Sequence, residues 1–197
     1  MQVAVIITVV VVLGIVALLA YLSRYGLFSS VRITEKNTGP YLLVYKKHIG
    51  DYKNVGPVMD NLYYDLQDNH GITTTKGFGL YYDKPQDVAK EELRSIVGCI
   101  IEGNSIEDLN EISSKYGVKE YPISKSVVAE FPYKGQMSII LGIFKVYPKL
   151  SAYIMAHKYA ATPIMELYDQ PNGKIEYIAS VELPNEIFES FLKANKA

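Results

Sequence analysis

The 197-residue chain has one cysteine, Cys99, and no tryptophan. A single thiol cannot pair within the chain, which excludes a disulfide-stabilised scaffold and suits a reducing compartment. Basic and acidic residues nearly balance, 20 Lys and Arg against 21 Asp and Glu, and this excludes the basic excess of a direct nucleic-acid binder. The three histidines are scattered, without a carboxylate or thiol at ligand spacing. We therefore expect neither a metal site nor another cofactor.

Charge is absent from the start of the chain, since no Lys, Arg, Asp or Glu precedes Arg24. Residues 3–22 form an almost uninterrupted apolar run, and twenty helical residues span about 30 Å, the thickness of a bilayer's hydrocarbon core. A cleaved signal peptide is the alternative, but the run is long and lacks both a basic leader and a good cleavage site. We predict a transmembrane anchor over residues 1–23 that contacts the lipid bilayer, followed by a juxtamembrane linker over residues 24–37.

The charges behind the anchor predict its orientation. Arg24, Arg32 and Lys36 lie within the distance over which positive charge favours the cytosolic side. The expected topology is a single-pass membrane protein whose folded part faces the cytosol.

The remaining residues, 38–197, contain a duplicated strand-helix-strand-strand pattern. Strand-like segments over residues 41–45 and 127–131 are each followed by apolar residues at helical spacing. Later in each half, Tyr82-Asp83-Lys84-Pro85 and Tyr168-Asp169-Gln170-Pro171 close a further strand. One domain of two similar units follows from this pattern.

We place the two pseudo-repeats at residues 38–102 and 121–184, with a short helix over residues 105–116 between them. Two such units predict an α+β fold with an antiparallel sheet of about six to eight strands. The helices are expected on one face of the sheet and a cleft on the other.

Glu166 is the first candidate binding residue. In a strand over residues 164–169, side chains alternate, so Glu166 and Tyr168 share one face while Met165 and Leu167 share the other. We expect the apolar pair to pack beneath the helices and the polar pair to line the cleft. A carboxylate beside tyrosine rings attracts cationic or aromatic ligands. A solvated strand glutamate is the alternative, because charged residues are common in strands.

Tyrosine is abundant, with 17 residues, and some of these rings are candidates for the walls of the cleft. Tyr41 and Tyr45 share a strand face, and Tyr82 occupies the place of Tyr168 in the other half. The predicted ligand-binding residues are thus Glu166, Tyr168, Tyr45, Tyr82 and Tyr41, with no catalytic residue among them. Ordinary cross-strand aromatic contacts are the alternative for each ring.

The order of these motifs resembles a known family. Two similar units with a Gly-x-Tyr after the first strand and a Glu-x-Tyr strand late in the chain resemble the GyrI-like effector-binding domain family. Phe131-Pro132-Tyr133, Leu150-Ser-Ala-Tyr-Ile154 and Pro163-Ile-Met-Glu-Leu-Tyr168 are similar to segments of ER-membrane members that act as ER-phagy receptors. The resemblance implies that Glu166 is the central binding carboxylate.

The resemblance also implies a function: a non-enzymatic, ER-anchored adaptor of ER-phagy, with the ubiquitin-like modifiers of autophagy as partners. Those receptors carry a long acidic tail with an autophagy-interaction motif, whereas this chain ends at Ala197. A small-molecule effector-binding protein, or a hydrolase of the same family, is the alternative function.

Overall fold

The computed structural model describes residues 1–103 and 109–193. Helix α1 (Gln2–Arg24) covers the apolar N-terminal run, and none of its residues is buried. Its 23 residues make a helix of about 35 Å. Two helices in the described part of the chain are long and apolar enough to cross a membrane, namely α1 and the helix over residues 136–156, which is partly buried within the domain.

An antiparallel sheet of eight strands forms the centre of the domain. Its strands are β1 (Arg32–Thr38), β2 (Tyr41–Ile49), β3 (Lys76–Tyr81), β4 (Arg94–Ile101), β5 (Gly117–Tyr121), β6 (Ser124–Pro132), β7 (Ile164–Asp169) and β8 (Lys174–Ser180). The helices that pack on it are α2 (Val55–His70), α3 (Gln136–Ala156) and α4 (Asn185–Lys193). The α+β class with an antiparallel sheet is as predicted.

The duplication is visible in both the chain order and the sheet order. One unit is β2-α2-β3-β4 and the other is β6-α3-β7-β8. The strands lie in the order β1-β6-β8-β7-β3-β4-β2-β5, so the two units meet at the central β3–β7 pair. Strand β1, which precedes the first unit, pairs with β6 of the second, and β5 pairs with β2 of the first. Each unit thus carries the leading strand of the other at its edge.

The two faces of the sheet are covered by different helices. On the face that we call the α2/α3 face, α3 packs on β6, β7 and β8, and α2 packs on β2 and β4. On the opposite face, the α4 face, Phe188 and Phe191 of α4 belong to a core cluster that contains residues from seven strands. Leu43, Phe78 and Leu167 are among them. The expectation of helices on one face is right for α2 and α3. It is wrong for α4, because the face predicted to be an open cleft is apolar enough to be covered.

Two expected boundaries also differ from the structure. Part of the predicted linker over residues 24–37 is strand β1, which pairs with β6 from Arg32 opposite Glu130 to Thr38 opposite Ser124. This pairing covers an edge of β6 that would otherwise be exposed. The helix predicted over residues 105–116 lies partly outside the described residues; its described part contains a 3-10 turn at Ile112–Ser114.

Candidate functional site

Glu166 lies at the centre of the sheet, on the α2/α3 face. Its neighbours across the ladder are Gly79 of β3 on one side and Tyr177 of β8 on the other. Gly79 has no side chain, so the space over it is open to a neighbouring group. The central position of β7 therefore puts the carboxylate where the two units of the domain meet.

Two tyrosine hydroxyls hold the carboxylate. Tyr147 of α3 donates a hydrogen bond to Oε1 over 2.7 Å, and Tyr168 donates one to Oε2, also over 2.7 Å. Only 3% of Glu166 is exposed to solvent. Each carboxylate oxygen has one donor and retains a lone pair for a further partner.

The charge of Glu166 is not neutralised within the described part of the chain, where none of the ion pairs includes it. Burial raises the pKa of the carboxyl above its ordinary value, although the hydroxyls of Tyr147 and Tyr168 act in the opposite direction. Burial and the nearby carboxylate likewise raise the pKa of both tyrosines well above the usual range. The tyrosines are therefore neutral hydrogen-bond donors.

Further tyrosines surround this centre. A Cβ at Gly79 would lie 2.6 Å from the Tyr81 hydroxyl, so the Tyr81 side chain lies over Gly79, next to Glu166. Tyr177 is fully buried and packs edge-on against Tyr147 with ring centroids 5.6 Å apart, and its hydroxyl has no hydrogen-bond partner among the described residues. Burial and the charge of Glu166 raise the pKa of both Tyr81 and Tyr177. We call Tyr81, Tyr147, Tyr168 and Tyr177 the tyrosine cage.

A cavity of about 280 Å³ lies beside the cage, between α2 and the ends of β3 and β4. Met59, Tyr63, Gly77 and Cys99 are among its lining residues. A Cβ at Gly77 would lie 3.1 Å from Met59 Sδ and 3.8 Å from the Tyr168 ring, so Gly77, which has no side chain, lies between the cavity and the cage. Burial raises the pKa of the Cys99 thiol to about 12, so this thiol is a small apolar group in the cavity wall.

The structure brings together two of the five predicted site residues, Glu166 and Tyr168. The other three lie on the α4 face. Tyr45 donates to the Phe191 carbonyl over 3.1 Å, and Tyr82 donates to the Phe188 carbonyl over 2.8 Å. Tyr41 packs in the same core cluster. Met165 and Leu167 do pack beneath a helix, as expected, but that helix is α4, and Glu166 faces α2 and α3 instead of an open cleft.

Strand alternation explains why these three tyrosines lie away from Glu166. Tyr45 pairs with Gly98 of β4. The next residue of β4, Cys99, pairs with Gly77 of β3, and Gly77 pairs in turn with Tyr168 of β7, so Cys99 and Tyr168 share a face. Tyr45 therefore belongs to the face that Glu166 does not. Tyr81, two residues after Gly79, corresponds to Tyr168, two residues after Glu166, and Tyr82 is one position too far.

Three cage residues were not among the predicted site residues. Alternation in β8 would have found Tyr177, and the correct alignment of the two units would have found Tyr81. Tyr147 has no comparable signal, because its distance from Glu166 depends on how α3 lies across the sheet. Among the described residues, no group of His, Cys, Asp and Glu side chains is placed to hold a metal ion.

Comparison with known proteins gives a family match. A family model described as GyrI-like small molecule binding domain matches residues 30–184. The chain is 31% identical to the Testis-expressed protein 264 homolog of Mus musculus over 135 residues, which are 65% of this chain and 41% of that protein. It is 28% identical to Testis-expressed protein 264 of Homo sapiens over 165 residues, 79% of this chain and 50% of that protein. The chain thus spans about half the length of these relatives, or less.

Solved structures share the fold at low identity. The C-terminal domain of EcmrR has a TM-score of 0.56 at 15% identity, over 78% of this chain and 99% of that one. SAV2435, solved with bound tetraphenylphosphonium, has a TM-score of 0.52 at 14% identity, over 77% of this chain and 94% of that one. These likenesses establish a common fold.

Proposed function

The chain belongs to the GyrI-like family of small molecule binding domains, and we propose that it binds a cationic small molecule with aromatic or apolar surface at Glu166. We further propose that α1 holds this binding domain at a membrane. The observation that carries the first proposal is a buried carboxylate without an ion-pair partner among the described residues.

A buried, unpaired carboxylate is costly, because burial in a medium of low polarity removes its hydration. Two hydroxyl donors offset part of this cost but supply no positive charge. A ligand cation would supply it, and the attraction would be stronger in the buried cage than in water. The site is therefore suited to a cation, and it disfavours a neutral or anionic ligand.

The walls of the cage suit the rest of the ligand. Ring faces attract cations, and aromatic side chains also supply apolar contact area. Tyr81, Tyr147, Tyr168 and Tyr177 offer both, and the neighbouring cavity provides further room. SAV2435 holds tetraphenylphosphonium, an aromatic cation, and this supports the same ligand chemistry for the present chain.

Entry requires a side chain to move, because Glu166 is almost fully covered. Tyr147 is the half-buried member of the pair that holds the carboxylate, whereas Tyr168 is buried and fixed within β7. We propose that the ligand displaces the Tyr147 hydroxyl from Oε1 and takes its place.

Binding is a better account of this geometry than catalysis. The described hydrogen-bond partners of Glu166 are two hydroxyls of raised pKa, which neither accept nor release a proton readily near neutral pH. Hydrolysis would need a nucleophile or an activated water beside the carboxylate. We therefore propose a binding protein without enzymatic activity.

The test is equilibrium binding of tetraphenylphosphonium to the full chain in lipid nanodiscs. The variant Glu166→Gln keeps the shape of the side chain and removes its charge, and it should lower affinity by roughly tenfold or more, the scale of one charge-assisted contact. Glu120→Gln, at an exposed position of β5, is the matched control and should bind like wild type. Because the probe also partitions into lipid, the comparison between variants decides the result. Equal affinity of wild type and Glu166→Gln would contradict the proposal.

For the membrane, we propose a single-pass topology in the ER with the domain in the cytosol. The apolar α1 and the positive charges of Arg24, Arg32 and Lys36 support the anchor and its orientation. The resemblance of residues 131–133, 150–154 and 163–168 to ER-membrane members of the family implies the ER. Protease added to intact microsomes should digest the domain, and protection of the domain would contradict this orientation.

The second candidate function is that of an ER-phagy adaptor whose partners are the ubiquitin-like modifiers of autophagy. The resemblance of residues 131–133, 150–154 and 163–168 to ER-phagy receptors of the family is what favours it. Capture of these modifiers by the full chain, retained in Glu166→Gln, would support an adaptor surface separate from the cage. Failure of wild type to capture them would count against the adaptor and leave small-molecule binding in place.

A further inference from the structure

Helix α3 is apolar on both of its sides. Its inner side packs on the sheet through Val146, Leu150 and Ile154. On its outer side, 75% of Phe144 and 76% of Met155 are exposed, and Ile140 and Ile143 are exposed as well. A helix on the surface of a soluble domain normally presents polar residues outward. We therefore expect the outer side of α3 to contact a partner.

The exposed large hydrophobic side chains are concentrated on α3. After α1, the described residues include eight exposed large hydrophobic side chains, and four of them lie on α3. A fifth, Phe28, lies in the turn that follows α1. Exposed apolar patches of this kind mark surfaces that contact a protein or a membrane.

A lysine joins α3 to the end of α1. The Lys145 ammonium donates hydrogen bonds to the carbonyl oxygens of Gly26, Leu27 and Ser29, over 3.3 Å, 2.5 Å and 2.7 Å. It caps the turn after α1 from the middle of α3.

The turn itself is rigidly attached on both sides. Leu27 N–H donates to the Leu22 carbonyl over 3.1 Å, which continues the hydrogen bonding of α1. Gly26 has a φ of +104°, and a Cβ there would lie 2.8 Å from the Phe131 ring of β6. Only a glycine fits this close approach without strain. The middle of α3 is therefore held beside the point where α1 ends.

The charges of α3 indicate which partner fits. Lys149 of α3 is exposed, whereas the Lys145 ammonium is bound to the turn after α1. The helix contains no Asp or Glu, and the last turn of α1 ends in Arg24. Apolar residues flanked by lysine and arginine are typical of helices that lie in the headgroup region of a bilayer with anionic lipids.

We propose that the outer side of α3 lies at the boundary between headgroups and acyl chains of the membrane that α1 spans, with Phe28, Ile140, Ile143 and Phe144 inserted against the acyl chains. The inference rests on the proposed anchoring by α1. It makes the domain a body docked on the membrane in one orientation, with Tyr147 of the cage on the docked helix.

The absence of tryptophan from the chain provides the test, because one introduced tryptophan can be excited alone. Three single-tryptophan variants of the full chain are reconstituted in nanodiscs of phosphatidylcholine and phosphatidylserine, with and without bromine on the acyl chains. Phe144→Trp reports on α3, and Leu13→Trp reports on α1. Ile123→Trp is the control, since Ile123 is 59% exposed and lies at the other end of β6 from Phe131.

Brominated lipid quenches only a tryptophan that contacts acyl chains. We expect loss of emission for Leu13→Trp and Phe144→Trp and none for Ile123→Trp. Quenching of Leu13→Trp alone would overturn the docking of α3 and leave the anchor standing. Absence of quenching in Leu13→Trp would overturn the anchor. A blue-shifted but unquenched Phe144→Trp would show that protein, such as a second copy, covers α3, and this too would overturn the inference.

Discussion

At the scale of single residues, two buried glutamates differ in whether lysines of the chain neutralise their charge. Glu176 of β8 lies on the α4 face, where Lys36 and Lys174 reach its Oε1 over 2.8 Å and 2.6 Å. Against the effect of burial, Lys174 and Lys36 lower the pKa of Glu176. Glu166 has no such partner among the described residues, and burial raises its pKa. The structure neutralises Glu176 and leaves Glu166 without an ion-pair partner among the described residues.

This contrast predicts how stability depends on pH. A carboxyl whose pKa is raised by folding stabilises the fold most when it is protonated, and this stability is lost as pH rises through the raised pKa. Glu166→Gln resembles the protonated form at every pH. Near pH 4, close to the pKa of an unfolded glutamate, the variant should match wild type within about 1 kcal/mol. As pH rises towards about 8, the variant should become the more stable protein.

Thermal unfolding of the ligand-free full chain in detergent, followed by circular dichroism over this pH range, measures the difference. A wild type that is more stable than Glu166→Gln at the higher pH would show that the carboxylate serves the fold itself.

A second prediction at this scale concerns the stability effect of a side chain at Gly98. A Cβ at this position of β4 would collide with the Val44 carbonyl oxygen and lie 2.8 Å from Tyr45 Cα, and both are backbone atoms of β2 that cannot rotate away. Gly98→Ala should therefore lower the free energy of unfolding by about 1–3 kcal/mol or more. Gly56→Ala in α2 is the control, because its Cβ would meet nothing within 4 Å and alanine favours a helix. Denaturant titration should place Gly56→Ala at or above wild type, and equal loss in both variants would contradict the account.

At the scale of elements, α4 covers the sheet face that was predicted from the sequence to be an open cleft. Phe191 is fully buried, stacks with Tyr121 at 6.2 Å between ring centroids and accepts the Tyr45 hydrogen bond at its carbonyl. Phe191→Ala should cost about 3–5 kcal/mol of unfolding free energy, as for other buried aromatic residues. Phe144→Ala on the outer side of α3 should change it by less than about 0.5 kcal/mol.

The same pair of variants separates the two faces. Below its unfolding transition, Phe191→Ala should bind tetraphenylphosphonium as wild type does, because α4 and Glu166 lie on opposite faces of the sheet. A loss of binding without unfolding would place the ligand on the α4 face instead.

The elements also show how far the sequence predicts the fold. The two strand-helix-strand-strand units were predictable, because period-two and helical patterns recur in the same order in both halves. Strand β1 was not, since Arg32-Ile-Thr-Glu-Lys-Asn-Thr38 has one apolar side chain and forms only by pairing with β6. Pairing across distant parts of the chain leaves no local pattern.

The site follows the same rule. Alternation in β7 correctly placed Glu166 and Tyr168 together, because it depends on the strand alone. It did not reveal which face the helices cover, since Met165 and Leu167 pack equally well beneath α4. Tertiary packing decides which helix covers which face. The contact between Tyr147 and Glu166 could not be predicted from the sequence for the same reason.

At the scale of the whole molecule, the duplication creates one asymmetric site. Gly79 and Glu166 are direct partners in the antiparallel β3–β7 pair, so an approximate twofold axis passes between them. It relates Tyr81 to Tyr168, and both belong to the cage. The counterpart of the Glu166 carboxylate in the other unit is Gly79, which has no side chain. The two units together therefore contain one carboxylate at this position and the space beside it. The proposed ligand is therefore a single cation.

The most direct test of this account is calorimetric titration of tetraphenylphosphonium into the full chain at several pH values, in buffers of different ionisation enthalpy. Because the pKa of Glu166 is raised and a bound cation favours the carboxylate, binding should release a proton wherever Glu166 is protonated in the free protein. Affinity should fall as pH is lowered through that pKa, and Glu166→Gln should show neither effect. Wild-type affinity that does not change with pH, or a pH dependence that persists in Glu166→Gln, would contradict the claim that this buried carboxylate binds the ligand.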